Sequence, residues 1–318
     1  MKLLFIGLFC AWLPYGIDMD RRPESLQDQN KVAELSSSID EIILIGEDRL
    51  IIIDYAKTTE SNKHVVWQLK TSDIVELPKS YHRYFKKLDD AKSVDNHRKL
   101  LVSSSGGGVA LIDRKTKKCL FYAKAPNAHS VEYLPGGRIA TALSTAKKGG
   151  DRIEIYDAYL SNTPLFTDSL YSGHGLSWNK ERKLLYALGS DKLRAYSLKN
   201  WNKRSPKLLL EKEWKLPATG GHDLFLSSSD KLLLSTSRHV WEFDIATERF
   251  SPFVPISKER NVKSVYYDEE TKEIVYTKGE INWWTHQIHF LNPQRTLAVP
   301  ELDLYKVRVI KKQKRYRM

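Results

Sequence analysis

Short apolar runs recur along the chain at regular intervals, each closed by an acidic residue or a substitute for one. Six copies stand out: Arg49-Leu-Ile-Ile-Ile-Asp54, Gly108-Val-Ala-Leu-Ile-Asp113, Arg152-Ile-Glu-Ile-Tyr-Asp157, Leu193-Arg-Ala-Tyr-Ser197, His239-Val-Trp-Glu-Phe-Asp244 and Gln287-Ile-His-Phe-Leu-Asn292. Their last residues fall 40 to 59 positions apart, a period that marks a repeat architecture. Apolar alternation over five or six residues between turn-forming ones predicts strands. No stretch of a dozen residues sustains a helical period, which argues against an α/β fold.

Two further β-rich runs flank each copy. Residues 42–45, 100–104, 138–143, 183–188, 231–236 and 273–277 precede the six copies, and 64–69, 119–123, 165–170, 208–214, 250–254 and 297–300 follow them. Five units carry one more short strand ahead of these, joined through polar turns such as Pro135-Gly136-Gly137. Four strands in each of six units predict an all-β, six-bladed β-propeller. The first unit lacks its innermost strand, and the last is followed by a surplus one, Leu304-Tyr-Lys-Val-Arg-Val-Ile310. Residues 304–310 are therefore expected to close the ring as the innermost strand of blade 1, since an open ring leaves two unpaired sheet edges.

Composition narrows the rest. The 318 residues are 41% hydrophobic and 11% aromatic, enough to bury a core, and two cysteines cannot staple a fold of this size. No apolar run reaches the roughly 20 residues of a transmembrane helix. Lys2 followed by the apolar stretch 3–13, with Cys10 inside it, predicts an export signal over 1–17, with a buried N-terminal element as the alternative. A lead-in over 18–40, one propeller domain over 41–310 and a basic tail over 311–318 complete the organisation. Export would leave Cys119, read as a small apolar strand residue, as the sole cysteine. The formal net charge of +12 invites a nucleic-acid reading. Five of those positives sit in the tail (Lys311, Lys312, Lys314, Arg315, Arg317), the others are scattered over loops, and no nucleic-acid motif accompanies them. A monomer that does not bind nucleic acid is expected.

The candidate chemistry comes from the repeat. Aligning the innermost strands places Lys92, His129, His174, His222, Lys263 and Lys306 at equivalent positions, ringing one mouth of the central channel. His and Lys are costly to bury without partners, and convergent titratable groups at a concave mouth suit a ligand. His129, His174 and His222 could hold a divalent metal such as Zn or Mn through neutral imidazoles, or act as acid and base without one. Lys92, Lys263 and Lys306 would attract a carboxylate, sulfate or phosphate. Loops on the same face, among them Ser103-Ser-Ser-Gly-Gly-Gly108 and the stretch holding Trp283, Trp284 and His286, are expected to border the ring. The tryptophans either offer a platform for a sugar or pack between blades. Trp67, Trp178, Trp214 and Trp241 are expected in the inter-blade core.

The stretches Ser103-Ser-Ser-Gly-Gly-Gly-Val-Ala-Leu-Ile112, Ala128-His-Ser-Val-Glu132, Gly173-His-Gly175, Gly220-Gly-His-Asp-Leu224, Val262-Lys-Ser-Val265 and Trp283-Trp-Thr-His286 together resemble an uncharacterised family of exported bacterial β-propeller proteins, a domain of unknown function. The resemblance spans roughly residues 42–309. It implies the fold, export to the periplasm or cell surface, and the ring as the family's signature, and it assigns no reaction. Three functions stay open: a metal-assisted lyase or hydrolase acting on an acidic saccharide, non-catalytic capture of a small anionic ligand, and a protein-interaction scaffold.

Overall fold

The middle strands owe their character to being covered on both faces. In Ile39–Gly46, Ile42 and Leu44 enter one apolar cluster while Ile43 and Ile45 enter the next. The neighbouring strand Arg49–Asp54 divides the same way, with Ile51 and Ile53 on one side and Leu50 and Ile52 on the other. A strand buried on both faces reads as a continuous apolar run, as residues 42–45 and 50–53 do. The computed structural model describes residues 36–160 and 163–312. The expected export signal, most of the lead-in and most of the basic tail lie outside the described residues.

Six four-stranded antiparallel sheets form the blades of a β-propeller. Their innermost strands are Leu304–Lys311 in blade 1, then Leu88–Val94, Ala128–Leu134, Gly175–Asn179, Asp223–Ser228 and Val262–Tyr267 in blades 2 to 6. One apolar cluster fills each of the six seams between neighbouring blades. The core is thus a ring of seams around the channel. Trp67, Trp178, Trp214 and Trp241 pack against these clusters as expected. Cys119 is half-buried and unpaired, and burial pushes its thiol up to about 12.

The C-terminal strand closes the ring where the sequence pattern requires it. Leu304–Lys311 runs antiparallel to Ile39–Gly46, with Val309 opposite Ile42 and Val307 opposite Leu44. The chain entering this strand passes directly over Gly46, where any Cβ would stand 2.1 Å from the Asp303 carbonyl oxygen. Only glycine fits under that crossing. The long interval between the first two repeats is taken up by short helical turns at Thr71–Asp73, Lys79–His82 and Arg83–Phe85.

Closure by a strand so distant in sequence makes folding all-or-none. A chain truncated after Asp303 should lose its cooperative thermal transition, because blade 1 and its seams with blades 2 and 6 open together. A truncated protein that melts like the full chain would refute this.

Candidate functional site

Four of the six innermost strands open with a β-bulge. The register skips one residue at Asp89 in blade 2, His129 in blade 3, Lys263 in blade 6 and Tyr305 in blade 1. A bulge re-aims the extra side chain out of the pleat. In blades 4 and 5 the corresponding places fall on His174 and His222, each the last residue before its strand and each bonded through its N–H to the second strand. The ring is therefore Tyr305, Asp89, His129, His174, His222 and Lys263.

Its members touch in sequence. The His129 and His174 rings lie 4.3 Å apart between centroids, and His174 and His222 5.3 Å apart. Asp89 Oδ1 stands 3.8 Å from His129 Nε2 at one end of this row. At the other end Lys263 Nζ lies 3.1 Å from His222 Nε2. Tyr305 completes the circuit, with its ring 5.8 Å from that of His129 and 6.0 Å from Lys263 Nζ.

The hydrogen bonds settle which nitrogens carry protons. His129 Nδ1 donates to the Asn127 carbonyl and His174 Nδ1 to the Ser172 carbonyl, at 3.1 and 2.9 Å. In the neutral imidazoles each Nε2 is then an acceptor. An ammonium can only donate, so His222 Nε2 accepts from Lys263 and its proton sits on Nδ1, a buried atom with no partner.

Beneath the ring the channel is closed by charge. Lys306, fully buried, reaches Asp223 Oδ1 at 3.2 Å and the carbonyls of His129 and His174 at 3.3 and 3.2 Å. Arg308 clasps two opposite blades: Nε donates to Asp90 at 2.7 Å, and its two terminal nitrogens donate to Asp223 at 2.9 and 2.7 Å. Burial alone would raise both aspartates, but Arg308 and Lys306 hold them below the ordinary carboxylate range, and Lys92 adds to this at Asp90. The clasp is the floor of this ring, a polar cup whose side chains are mostly buried.

Titration in the ring runs the other way. Burial lowers His129, partly offset by Asp89, and drives His174 well below its ordinary value, helped by the two flanking histidines. His222 falls to about 3, through burial and then the charges of Lys263 and Lys306. Burial and Lys306 bring Lys263 down to about 8. Asp89 is raised by burial, against the pull of His129. Its proton affinity and that of His129 thus move toward each other, which suits a proton exchanged between them. Lys263, only 5% exposed, has no carboxylate within ion-pair distance among the described residues.

Two of the second-to-third-strand loops, in blades 2 and 6, lie against the ring. Asp89 accepts a hydrogen bond from the backbone of Ser105, in the triple-glycine loop. Gly279, which opens the tryptophan loop, lies against Lys263; a Cβ there would meet Lys263 Cε at 3.3 Å and the Asn282 carbonyl oxygen at 2.6 Å. Trp283 is exposed on the rim, at 58%. Trp284 is half-buried beside His286, and His286 is held on the rim by Asp303 at 3.0 Å.

The structure thus brings His129, His174, His222 and Lys263 together, and it places the other two ring lysines elsewhere. Lys92 lies three residues further down its strand than the ring position, donating to Glu132 and the Leu176 carbonyl. Lys306 lies one residue further down and belongs to the floor. Asp89 and Tyr305 hold the positions expected for these two. Lys92-Ser-Val94 imitates His129-Ser-Val131 and Lys263-Ser-Val265, which pulls a residue-type alignment out of register. A four-residue frame of apolar, bulged, polar and apolar positions gives the true register: Leu88-Asp-Asp-Ala91, Ala128-His-Ser-Val131, Val262-Lys-Ser-Val265 and Leu304-Tyr-Lys-Val307.

Fold and site define a six-bladed β-propeller with a ring of titratable side chains above a plugged channel. The chain belongs to the family described as "Family of unknown function (DUF6528)", whose model matches residues 16–313. No curated protein matches the chain significantly.

The ring should weaken the fold that carries it. Between pH 6.5 and about 3 the unfolded chain takes a proton that folded His222 refuses, so stability falls as pH drops through that window. Between about 8 and 10.5 unfolded Lys263 keeps a proton the folded side chain has released, so its contribution rises with pH. Lys263→Met should therefore stabilise the ligand-free protein at pH 7 by about 1–3 kcal/mol in denaturant unfolding. A destabilised Lys263→Met protein would contradict this.

Proposed function

We propose that the cup binds a small carboxylate rich in hydroxyl groups, an acidic saccharide, through the polar ring. The observation that carries this is Lys263, a buried cation with no carboxylate partner among the described residues. Burying an uncompensated charge is unfavourable, and a ligand carboxylate at this point removes the cost. The opposite arc has the complementary character. Asp89, His129 and His174 offer acceptors to ligand hydroxyls, and the exposed Trp283 provides an apolar face on the rim for a sugar ring. Export by the apolar segment 3–13 would bring this cup to saccharides outside the cytoplasm.

A catalytic use of the same cup is favoured by one pair. Asp89 and His129 stand close enough to share a proton through a small rearrangement, and their shifts converge. In a β-elimination such a pair would take the proton beside the carboxylate while Lys263 stabilised the charge that develops. The electron pair then forms the C=C bond as the neighbouring glycosidic C–O bond breaks, and the departing oxygen takes up a proton. Among the described residues no group of three or more His, Cys, Asp or Glu side chains is gathered to hold a metal ion. The proposal therefore rests on hydrogen bonding and charge, with Zn and Mn as arms of its test.

Glucuronate or galacturonate should raise the melting temperature of the full chain, and glucose should not. Lys263→Met and His222→Gln should each weaken the same uronate about tenfold or more by calorimetry. Loss of intact uronate oligomers with appearance of unsaturated product would make the protein a lyase; binding without turnover would make it a capture protein. Zn or Mn retained by the purified chain and lost in His174→Gln would add a metal to the ring. No response to any uronate, or an unchanged affinity in Lys263→Met, would end the reading in favour of a scaffold.

A further inference from the structure

Beyond the Arg308 clasp the channel opens again, at its opposite mouth, into a cavity of about 320 Å3. The innermost strands run on past the clasp and supply its walls. Lys92 comes from blade 2, Phe225 and Leu226 from blade 5, and Arg308, Val309 and Lys311 from blade 1.

The cavity has two kinds of wall. Phe225, Leu226 and Val309 make one of them apolar. The other carries the basic Lys92, Arg308 and Lys311 with the polar Ser93, His97 and Ser177, and among the described residues no Asp or Glu lines the cavity. The carboxylates that balance its cations lie outside the lining: Glu132 is 2.8 Å from Lys92, Asp90 and Asp223 hold Arg308, and Asp268 is 2.8 Å from Lys311. Donors are left over. Arg308 gives three of its five N–H groups to the aspartates, and Lys92 gives two of its three to Glu132 and the Leu176 carbonyl.

We propose that this cavity binds a small amphipathic monoanion, a carboxylate whose unbranched apolar tail lies on Phe225, Leu226 and Val309 while its head meets Arg308, Lys92 and Lys311. The head takes the spare donors, and the tail covers what stays exposed of three side chains that the fold only half-buries. A cavity of about 320 Å3 lies at the small end of ligand pockets, so the occupant is small. Octanoate has that size. The clasp separates this site from the His ring, and neither site depends on the other.

Calorimetry with the full chain and a series of fatty acids tests the assignment. One octanoate should bind per chain, with affinity rising about fourfold for each CH2 from butanoate to octanoate. Octan-1-ol, which has the same tail and no charge, should bind at least about tenfold more weakly. Lys311→Glu, at a half-exposed position, should weaken octanoate about fivefold, and Leu226→Trp should abolish binding by filling the space. Equal affinity for octanoate and octan-1-ol, no dependence on tail length, indifference to both substitutions, or no binding at millimolar octanoate would each overturn the proposal. If Leu226→Trp fails to fold, the acid–alcohol comparison and the tail-length series on the unaltered protein still decide. Octanoate has no sugar hydroxyls, so its failure leaves the saccharide reading of the ring untouched.

Discussion

Six sheets meeting edge-on leave a channel whose walls are strand edges, and that channel must be either wet or filled. Here it is filled by ions. Arg308 and Lys306 are set against Asp90 and Asp223, the last three fully buried and Arg308 nearly so. Charges removed from water are tolerable only when paired and hydrogen-bonded, and this group meets the condition through three blades at once. Both cations come from the strand that closes the ring, so closing the propeller and plugging the channel are one event. The clasp also separates the polar ring from the mixed apolar and basic cavity at the far ends of the innermost strands.

What the clasp satisfies, the cup above it does not. The carboxylates of the floor are consumed by Arg308 and Lys306, and Lys263 on the next tier up is left with a neutral imidazole as its nearest partner. The row of histidines is kept neutral by burial and by one another. Buried groups held in unfavourable ionisation states are a cost that a fold can shed by substitution, and their clustering at one mouth is the pattern of a binding or catalytic site. The bulges explain how four of the six strands deliver their side chains to the circle that His174 and His222 join from just ahead of theirs. Each adds a residue without moving the strand pairing below it, so the seams stay packed while the rim is re-aimed.

The fold was legible because blade formation is local. Runs such as residues 42–45 and 108–113 declare strands buried on both faces, and the missing first strand with a surplus last one declares the closure. The site was legible only in part. His129, His174, His222 and Lys263 were found because their types and spacing repeat. Asp89 and Tyr305 were hidden because a bulge leaves no mark in residue type, and Lys92-Ser-Val94 offered a false match three residues away. The clasp was out of reach for another reason: Asp90, Asp223 and Arg308 meet across the channel from blades 2, 5 and 1, a contact with no sequence period. His286 showed a titratable type in a promising loop, and the structure gives it to Asp303 on the rim.

The account stands on one buried ammonium. Nuclear magnetic resonance of the labelled Lys263 side chain, titrated without ligand and then with saturating glucuronate, measures its proton affinity directly. The account predicts titration near pH 8 in the free protein and a clear rise once a carboxylate lies beside it. An ordinary lysine value in the free protein, or no movement with uronate bound, would contradict it.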